Sequence, residues 1–313
     1  MDEITRLAEF RADTEPMSAH ACLRGRQQLA DEIAGRPTGR RDSHWRRLVR
    51  PRRLLVAAAL TLALTAGVVS TQVAGPGATE SSAEAISVLN LAADALADAP
   101  MPRPDQFVYM NTMHVTSDPT DISTSEGWMS VDGSKPGLGK YSNVKAPERD
   151  LSQIIQPGQV RTSLSQGPPY ADLAKLPTDP DKLLRILYAD PWVADRVSSH
   201  EKSRDLAVWD LVRDLLLGAC PAPQQAALFR AAAKIPHITY VSEATDALGR
   251  TGEAVSMLDP NLGYIQLILD RQTHAFIGER ILGRDSGGRA DDVEFNSAVR
   301  TVGFVDAVEQ LPS

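Results

Sequence analysis

Cysteine is nearly missing from this chain: Cys22 and Cys220 are the only two in 313 residues. That excludes a disulfide scaffold. Catalytic signatures are missing as well. The six histidines include no H-E-x-x-H pair, since His200-Glu201 lacks a second histidine four positions after the first. There is no G-x-S-x-G elbow and no glycine loop with the lysine that cradles phosphates. Neither an internal repeat nor a low-complexity tract is present beyond an arginine-rich neck. A non-enzymatic protein without cofactor or metal is therefore expected.

Charge is absent from one long stretch. Leu54 to Thr79 is 26 consecutive uncharged residues, and its apolar centre extends to about 20 residues, the length a helix needs to cross ~30 Å of hydrocarbon. No face of Leu54–Val69 carries a polar stripe, so a buried soluble helix does not fit. Arg46, Arg47, Arg50, Arg52 and Arg53 crowd its N-terminal flank, and no base follows until Arg103. The positive-inside rule then places the N-terminus in the cytoplasm. A cleaved signal peptide is the rival reading, but 53 residues precede the run, and Thr71-Gln72-Val73-Ala74 matches a cleavage site only loosely. The expected layout is a cytoplasmic tail over 1–53, a transmembrane helix over 54–75, a linker over 76–82 and an extracytoplasmic domain over 83–313. The basic neck serves as topogenic signal and meets the anionic headgroups of the bilayer.

The net charge of −7 divides unevenly. Residues 1–53 hold 12 arginines against 8 acids, leaving 21 bases against 32 acids for the remainder. An acidic exterior argues against nucleic-acid binding. In the tail, Ile4 and Leu7 share one helical face, and Cys22, Leu29 and Ile33 share a second between Pro16 and Gly35. Neither helix is long enough to stand alone in water, which leaves a partner, the membrane surface or disorder. His20 and Cys22 lie two apart, whereas zinc anti-sigma modules carry H-x3-C-x2-C. The second cysteine is missing, and tetrahedral zinc needs four ligands.

Beyond the span, Ser81 and Glu84 read as a capping box for a helix bearing Ile86, Leu89, Ala93 and Leu96. Gln106–Thr116 reads as a strand with a bulge, and Glu126–Val131 as a second strand. Lys140–Pro169 reads as a long loop with one short strand near Val160. Asp179-Pro180 opens a leucine helix, and Leu206, Trp209, Val212 and Leu216 stripe the next, whose charged side carries Asp210, Arg213 and Asp214. Pro221 and Pro223 break before another helix that ends at Ile235-Pro236. Ile238–Ser242, Glu253–Leu258, Tyr264–Asp270, Ala275–Leu282 and Val293–Val305 are expected strands, the last two joined by a charged loop over Gly283–Asp292. That loop has too little ligand rhythm for calcium. Cys220 reads as a partly buried small hydrophobe. The fold class is α+β: an antiparallel meander interrupted by a helical block, with helices covering one apolar face of a curved sheet.

These motifs are familiar. Leu176-Pro177-Thr178-Asp179-Pro180, the run VWDLVRDLLLGACPAPQQAALFRAAAKIP from Val208 to Pro236, DALGRTGEAVSM from Asp246 and LILDRQTHAFIGERIL from Leu267 resemble an uncharacterised actinobacterial family of single-pass membrane proteins. The resemblance implies a gene often placed beside an extracytoplasmic-function sigma factor, hence an anti-sigma-like or sensing role by association. In that reading Ile4, Leu7, Leu29 and Ile33 contact a cytoplasmic sigma factor without zinc, and the outer domain meets an envelope ligand of unknown identity. The late hairpin is similar to half-barrel lipoprotein-carrier folds. That likeness implies the alternative, a membrane-anchored envelope carrier or assembly factor for a lipid-like ligand.

Overall fold

Alternating strand-type segments and a central helical run give one antiparallel sheet with helices on part of one face. The computed structural model describes residues 81–158, 163–199, 201–284 and 293–312. The expected tail, basic neck and span lie outside them, and no described helix is long and apolar enough to cross a membrane. The described chain begins with α1 (Ala83–Asp94), then β1 (Phe107–Thr116), β2 (Ile122–Ser130), β3 (Gly137–Asn143) and β4 (Leu151–Ile155). A helical block follows: α2 (Tyr170–Leu173), α3 (Pro180–Ala189), α4 (Pro191–Ser198), α5 (Arg204–Leu216) and α6 (Ala222–Ala232). It closes with β5 (Thr239–Thr245), β6 (Thr251–Asp259), β7 (Gly263–Leu269), β8 (Phe276–Leu282) and β9 (Val293–Val305).

The strand order is β4-β3-β2-β1-β9-β8-β7-β6-β5. Two meanders therefore meet at a central seam, where Phe107 pairs with Val305 and Thr116 with Phe295. A register shift falls here between Asn111 and Thr112, but the extra residue is Arg300 of β9; β1 runs unbroken against β2, so the bulge expected within Gln106–Thr116 belongs to its partner strand. The helices pack over the second meander. Trp209, Leu211, Leu228 and Phe229 join Val255, Met257, Ile265, Leu267 and Leu269 in one cluster. Each large side chain so buried contributes about 1.5–3 kcal/mol. Their strand neighbours Ala254 and Ile268 point the other way, into a small cluster with Ala244 and Ile277. The end of β5 folds back over that opposite face. Arg280 and Asn296 donate to the carbonyls of Glu243 and Thr245, the Ala247 N–H donates to Ser297 O, and Arg250 donates to the carbonyls of Ile277 and Val299.

The fold class, the inserted helical block and the last strand agree with the sequence reading. Four further local expectations are corrected. The N-cap of α1 is Ser82, whose side chain accepts from the Ala85 N–H, while the Ser81 hydroxyl donates to Ile235 O. The capping box was thus misplaced by one residue, and Leu96 lies beyond the helix end. The stretch read as a long loop holds β3 and β4, polar strands near the sheet edge whose exposed side chains leave no hydrophobic alternation to read. The site expected for a short strand, near Val160, lies outside the described residues. Pro223 sits inside the first turn of α6, where its missing N–H costs nothing.

Packing at the fold-back is tight enough to test. A Cβ at Gly278 would lie 2.2 Å from Ser297 O, whereas one at Gly139 meets nothing closer than 3.9 Å. Gly278→Ala should lower the urea unfolding free energy by about 1–3 kcal/mol. Gly139→Ala should leave it within about 0.5 kcal/mol.

Candidate functional site

Among the described residues, the sheet face turned away from the helices is covered over the first meander only by the last residues of the chain, and its side chains form ordered rows. Tyr109, Trp128, Leu138 and Ile154 are register partners across four strands. Asn111, Glu126, Lys140 and Ser152 make the next row, and Met113, Thr124 and Ser142 the third. Period-two alternation places all three rows on one face. The first row is aromatic and apolar, the second charged, the third largely hydroxylated. The Tyr109 hydroxyl donates to Glu126 Oε1 at 2.7 Å, and Asn111 Nδ2 donates to the same oxygen at 3.1 Å. Asn111 Oδ1 is buried without a partner. A hollow of about 320 Å³ opens over Thr124, Glu126, Lys140, Ser142 and Ser152.

The last residues of the chain cross this face. Trp128 Nε1 donates to Gln310 O at 2.7 Å, and Lys140 Nζ lies 2.5 Å from Glu309 Oε1 and 5.4 Å from the centre of the Trp128 ring. Trp128 is 2% exposed beneath them. Chemically the face offers stacking surface, hydroxyls and one pair of opposite charges. It suits binding and contains no nucleophile set beside a base.

On the helical side, α5 carries charge into the core. Lys202 Nζ lies 2.5 Å from Asp210 and 2.6 Å from Asp259. Arg213 Nη1 is 3.4 Å from Asp210, its Nη2 3.2 Å from Asp214, and its Nε 3.2 Å from Glu279 Oε2 on β8. Arg213 Nε and Glu279 Oε2 are close, but no aligned hydrogen bond joins them. Asp259 also accepts from the Asn261 and Leu262 N–H groups, tying the β6–β7 turn to the network. Four carboxylates surround two cations in a nearly dry site. Burial drives the Glu279 carboxyl up to about 7, Arg213 opposes that rise, and Asp214 and Asp210 add to it. Burial works against the Arg213 charge, yet Glu279, Asp210 and Asp214 hold its pKa above the ordinary value.

No protein-family model matches this chain, and no curated protein matches it. Solved structures with similarity include a crystal structure of MucB, at 14% identity and a TM-score of 0.31, covering 74% of this chain and 61% of that one. The complex structure of Pseudomonas aeruginosa MucA/MucB matches at 13% and 0.30, over 73% of this chain and 59% of that one. MucB in complex with MucA(peri) matches at 13% and 0.29, over 72% and 57%. This chain spans about three fifths of the length of those proteins.

Ile4, Leu7, Leu29, Ile33, Arg46, Arg47, Arg50, Arg52 and Arg53 lie outside the described residues, as do His20, Cys22 and His200. Only Gly283 and Arg284 of the charged loop are described, and the described residues hold no group of three metal-type ligands. His114 sits on β1, 5.8 Å from the Phe295 ring, and burial lowers its pKa to about 4. His274 Nδ1 is 3.4 Å from Glu253 Oε1. Trp209 is core, Trp128 lies beneath the C-terminal residues, and Trp192 stacks at 5.3 Å with Arg196. Cys220 is half-buried, with burial pushing its thiol up to about 12.

Two features escaped the sequence reading. Asp210 and Arg213, read as the charged side of α5, are buried at 3% and 6% exposure because that helix is enclosed nearly all round. Their spacing of three, inside a leucine-rich helix, was the available signal. The rows on the open face had none, since their strands are polar.

Glu279 gives a signed expectation. Its folded pKa is about 7 against an ordinary 4.5, so the folded state holds a proton that the unfolded state releases earlier. Stability from this group is full below about pH 4.5, declines as pH rises and levels off above about 7. Glu279→Gln keeps the neutral shape. Thermal melts should show the variant near wild type at pH 4.5 and more stable at pH 8 by on the order of 2 kcal/mol. Equal pH profiles for the two proteins would overturn this assignment.

Proposed function

We propose that the chain is a single-pass, non-enzymatic envelope protein that regulates by binding. Its outer domain recognises a protein partner. Its tail, through Ile4, Leu7, Leu29 and Ile33, holds a cytoplasmic regulator of the sigma-factor kind. One observation carries the outer half of this reading. Among the described residues, the row-patterned face of the first meander is crossed only by the C-terminal segment and holds a hollow of about 320 Å³. The spaces that a lipid carrier would use are occupied: Trp209, Phe229 and the leucines fill one side of the second meander, and the folded-back β5 with Ala244, Ala254, Ile268 and Ile277 fills the other. This filling favours partner binding over the carrier. The charge-free stretch from Leu54 and its arginine neck support the anchor, and the family resemblance supports the sigma-factor context.

The tail half is tested with residues 1–53 as bait in lysate of the native host, read by mass spectrometry. A sigma factor or comparable regulator should be captured, and Leu7→Asp with Leu29→Asp and Ile33→Asp should abolish its capture. Failure to capture one removes the cytoplasmic part of the proposal. For the outer half, solvent extraction of the purified full chain should yield no stoichiometric lipid. Recovery of about one lipid per chain would favour the carrier.

A further inference from the structure

The C-terminal residues lie in a groove with a distinct chemistry. Its floor is the cluster of Phe107, Tyr109, Trp128, Leu138 and Val305. Its rim is basic. Lys135 Nζ stands 5.6 Å from the Phe107 ring centre, Lys140 Nζ 5.4 Å from that of Trp128, and Arg103 flanks one end. In a chain of net charge −7, three cations around an aromatic floor form a local contrast. The segment seated there, Asp306–Pro312, is acidic and turns on itself over Asp306–Glu309, where Gln310 Oε1 accepts from the Asp306 and Ala307 N–H groups. Arg103 Nη2 donates to Asp306 Oδ1 at 2.6 Å, and Gln106 Nε2 donates to the same oxygen at 3.0 Å. Lys140 pairs with Glu309, and Trp128 Nε1 reads the Gln310 carbonyl. Pro312 packs over Gly303, where any Cβ would lie 2.6 Å from its ring.

The seat fits better than its occupant. Leu311, the large apolar residue of this segment, is 61% exposed and Val308 is 38% exposed, so neither is buried in the groove. Glu309 is held at φ 67°, a conformation costly for a non-glycine residue. Both ion pairs are largely solvent-exposed, the kind that contributes little. A buried tryptophan is thus covered by a lightly held, partly strained terminal segment.

We infer that this groove is a recognition site for an acidic peptide segment of a protein partner, with Asp306–Pro312 as a resident pseudo-ligand that the partner displaces. Lys140 and Arg103 read the partner's carboxylates, Trp128 reads a backbone carbonyl between them, and the aromatic floor takes a small apolar residue. Electrostatic steering by the basic rim speeds encounter with such a segment. This inference rests on reading the outer domain as a partner-binding module, and its test is independent of the cytoplasmic tail.

The probe is a fluorescein-labelled peptide of sequence DAVEQLPS, measured by anisotropy against the detergent-solubilised chain. A chain ending at Val305 should bind it at least ten-fold more tightly than the intact chain. Lys140→Glu in that shortened chain should cost at least ten-fold. A peptide with both acids replaced by their amides should bind correspondingly weakly. Glu309→Lys in the intact chain removes one anchor without deleting any residue and should raise peptide affinity several-fold, which keeps the test decisive if the shortened chain does not fold. A folded shortened chain that binds no better than the intact one overturns the inference. So does an unchanged affinity in Glu309→Lys. A negative result here alongside a captured tail regulator would remove the groove and leave the regulator reading standing.

Discussion

The pairing of β1 with β9 is the interaction on which the rest of the domain depends. It joins residues near 107 to residues near 305 along ten register pairs, and without it the sheet would be two separate meanders. The helical block is looped out between them and packs mainly on the second meander, with Tyr170 of α2 and Ala219 beyond α5 reaching Val108 and Met129 of the first. Such a seam closes a loop of about 180 residues, from Thr116 to Phe295, so its entropy cost is met late and its formation is expected to be slow. The fold-back of β5 depends on it too, because Ser297 and Val299, which receive β5 and its turn, belong to the seam strand.

Once the seam is closed, the two faces acquire opposite characters. Over the second meander both are filled, one by helices and the other by small side chains beneath β5. Over the first meander the face away from the helices is open but for the C-terminal segment. The buried charges sit in the filled half. Replacing such clusters by apolar residues often leaves stability unharmed, so Lys202, Arg213 and Glu279 are better understood as fixing how α5, the β6–β7 turn and β8 register with one another than as a source of net stability.

Much of this was legible in the residues. Asp179-Pro180 marked a helix start because a carboxylate cap and a proline in the first turn are both chemically suited there, and Asp179 does accept from the Lys182 N–H. The late strands were visible because one or both of their faces are apolar, and Val293–Val305 was bounded correctly. The strands β3 and β4 were invisible for the complementary reason: with solvent beside them, glycine, serine, asparagine and lysine serve as well in a strand as in a loop. Which residues share a row across strands, and which helix face meets charge instead of solvent, depends on long-range register. Local periodicity does not encode it. The candidate groove was therefore beyond reach.

Cys220 shows what the packing means for chemical reactivity. A thiol whose pKa stands near 12 is ionised to only about one part in 10⁴ or less at pH 8, and the thiolate is the species that attacks disulfides and electrophiles. The Cys220 thiol is therefore a silent group while the helices stay packed. Its alkylation rate becomes a clock for their loosening, supplied by the chain itself with no engineered label.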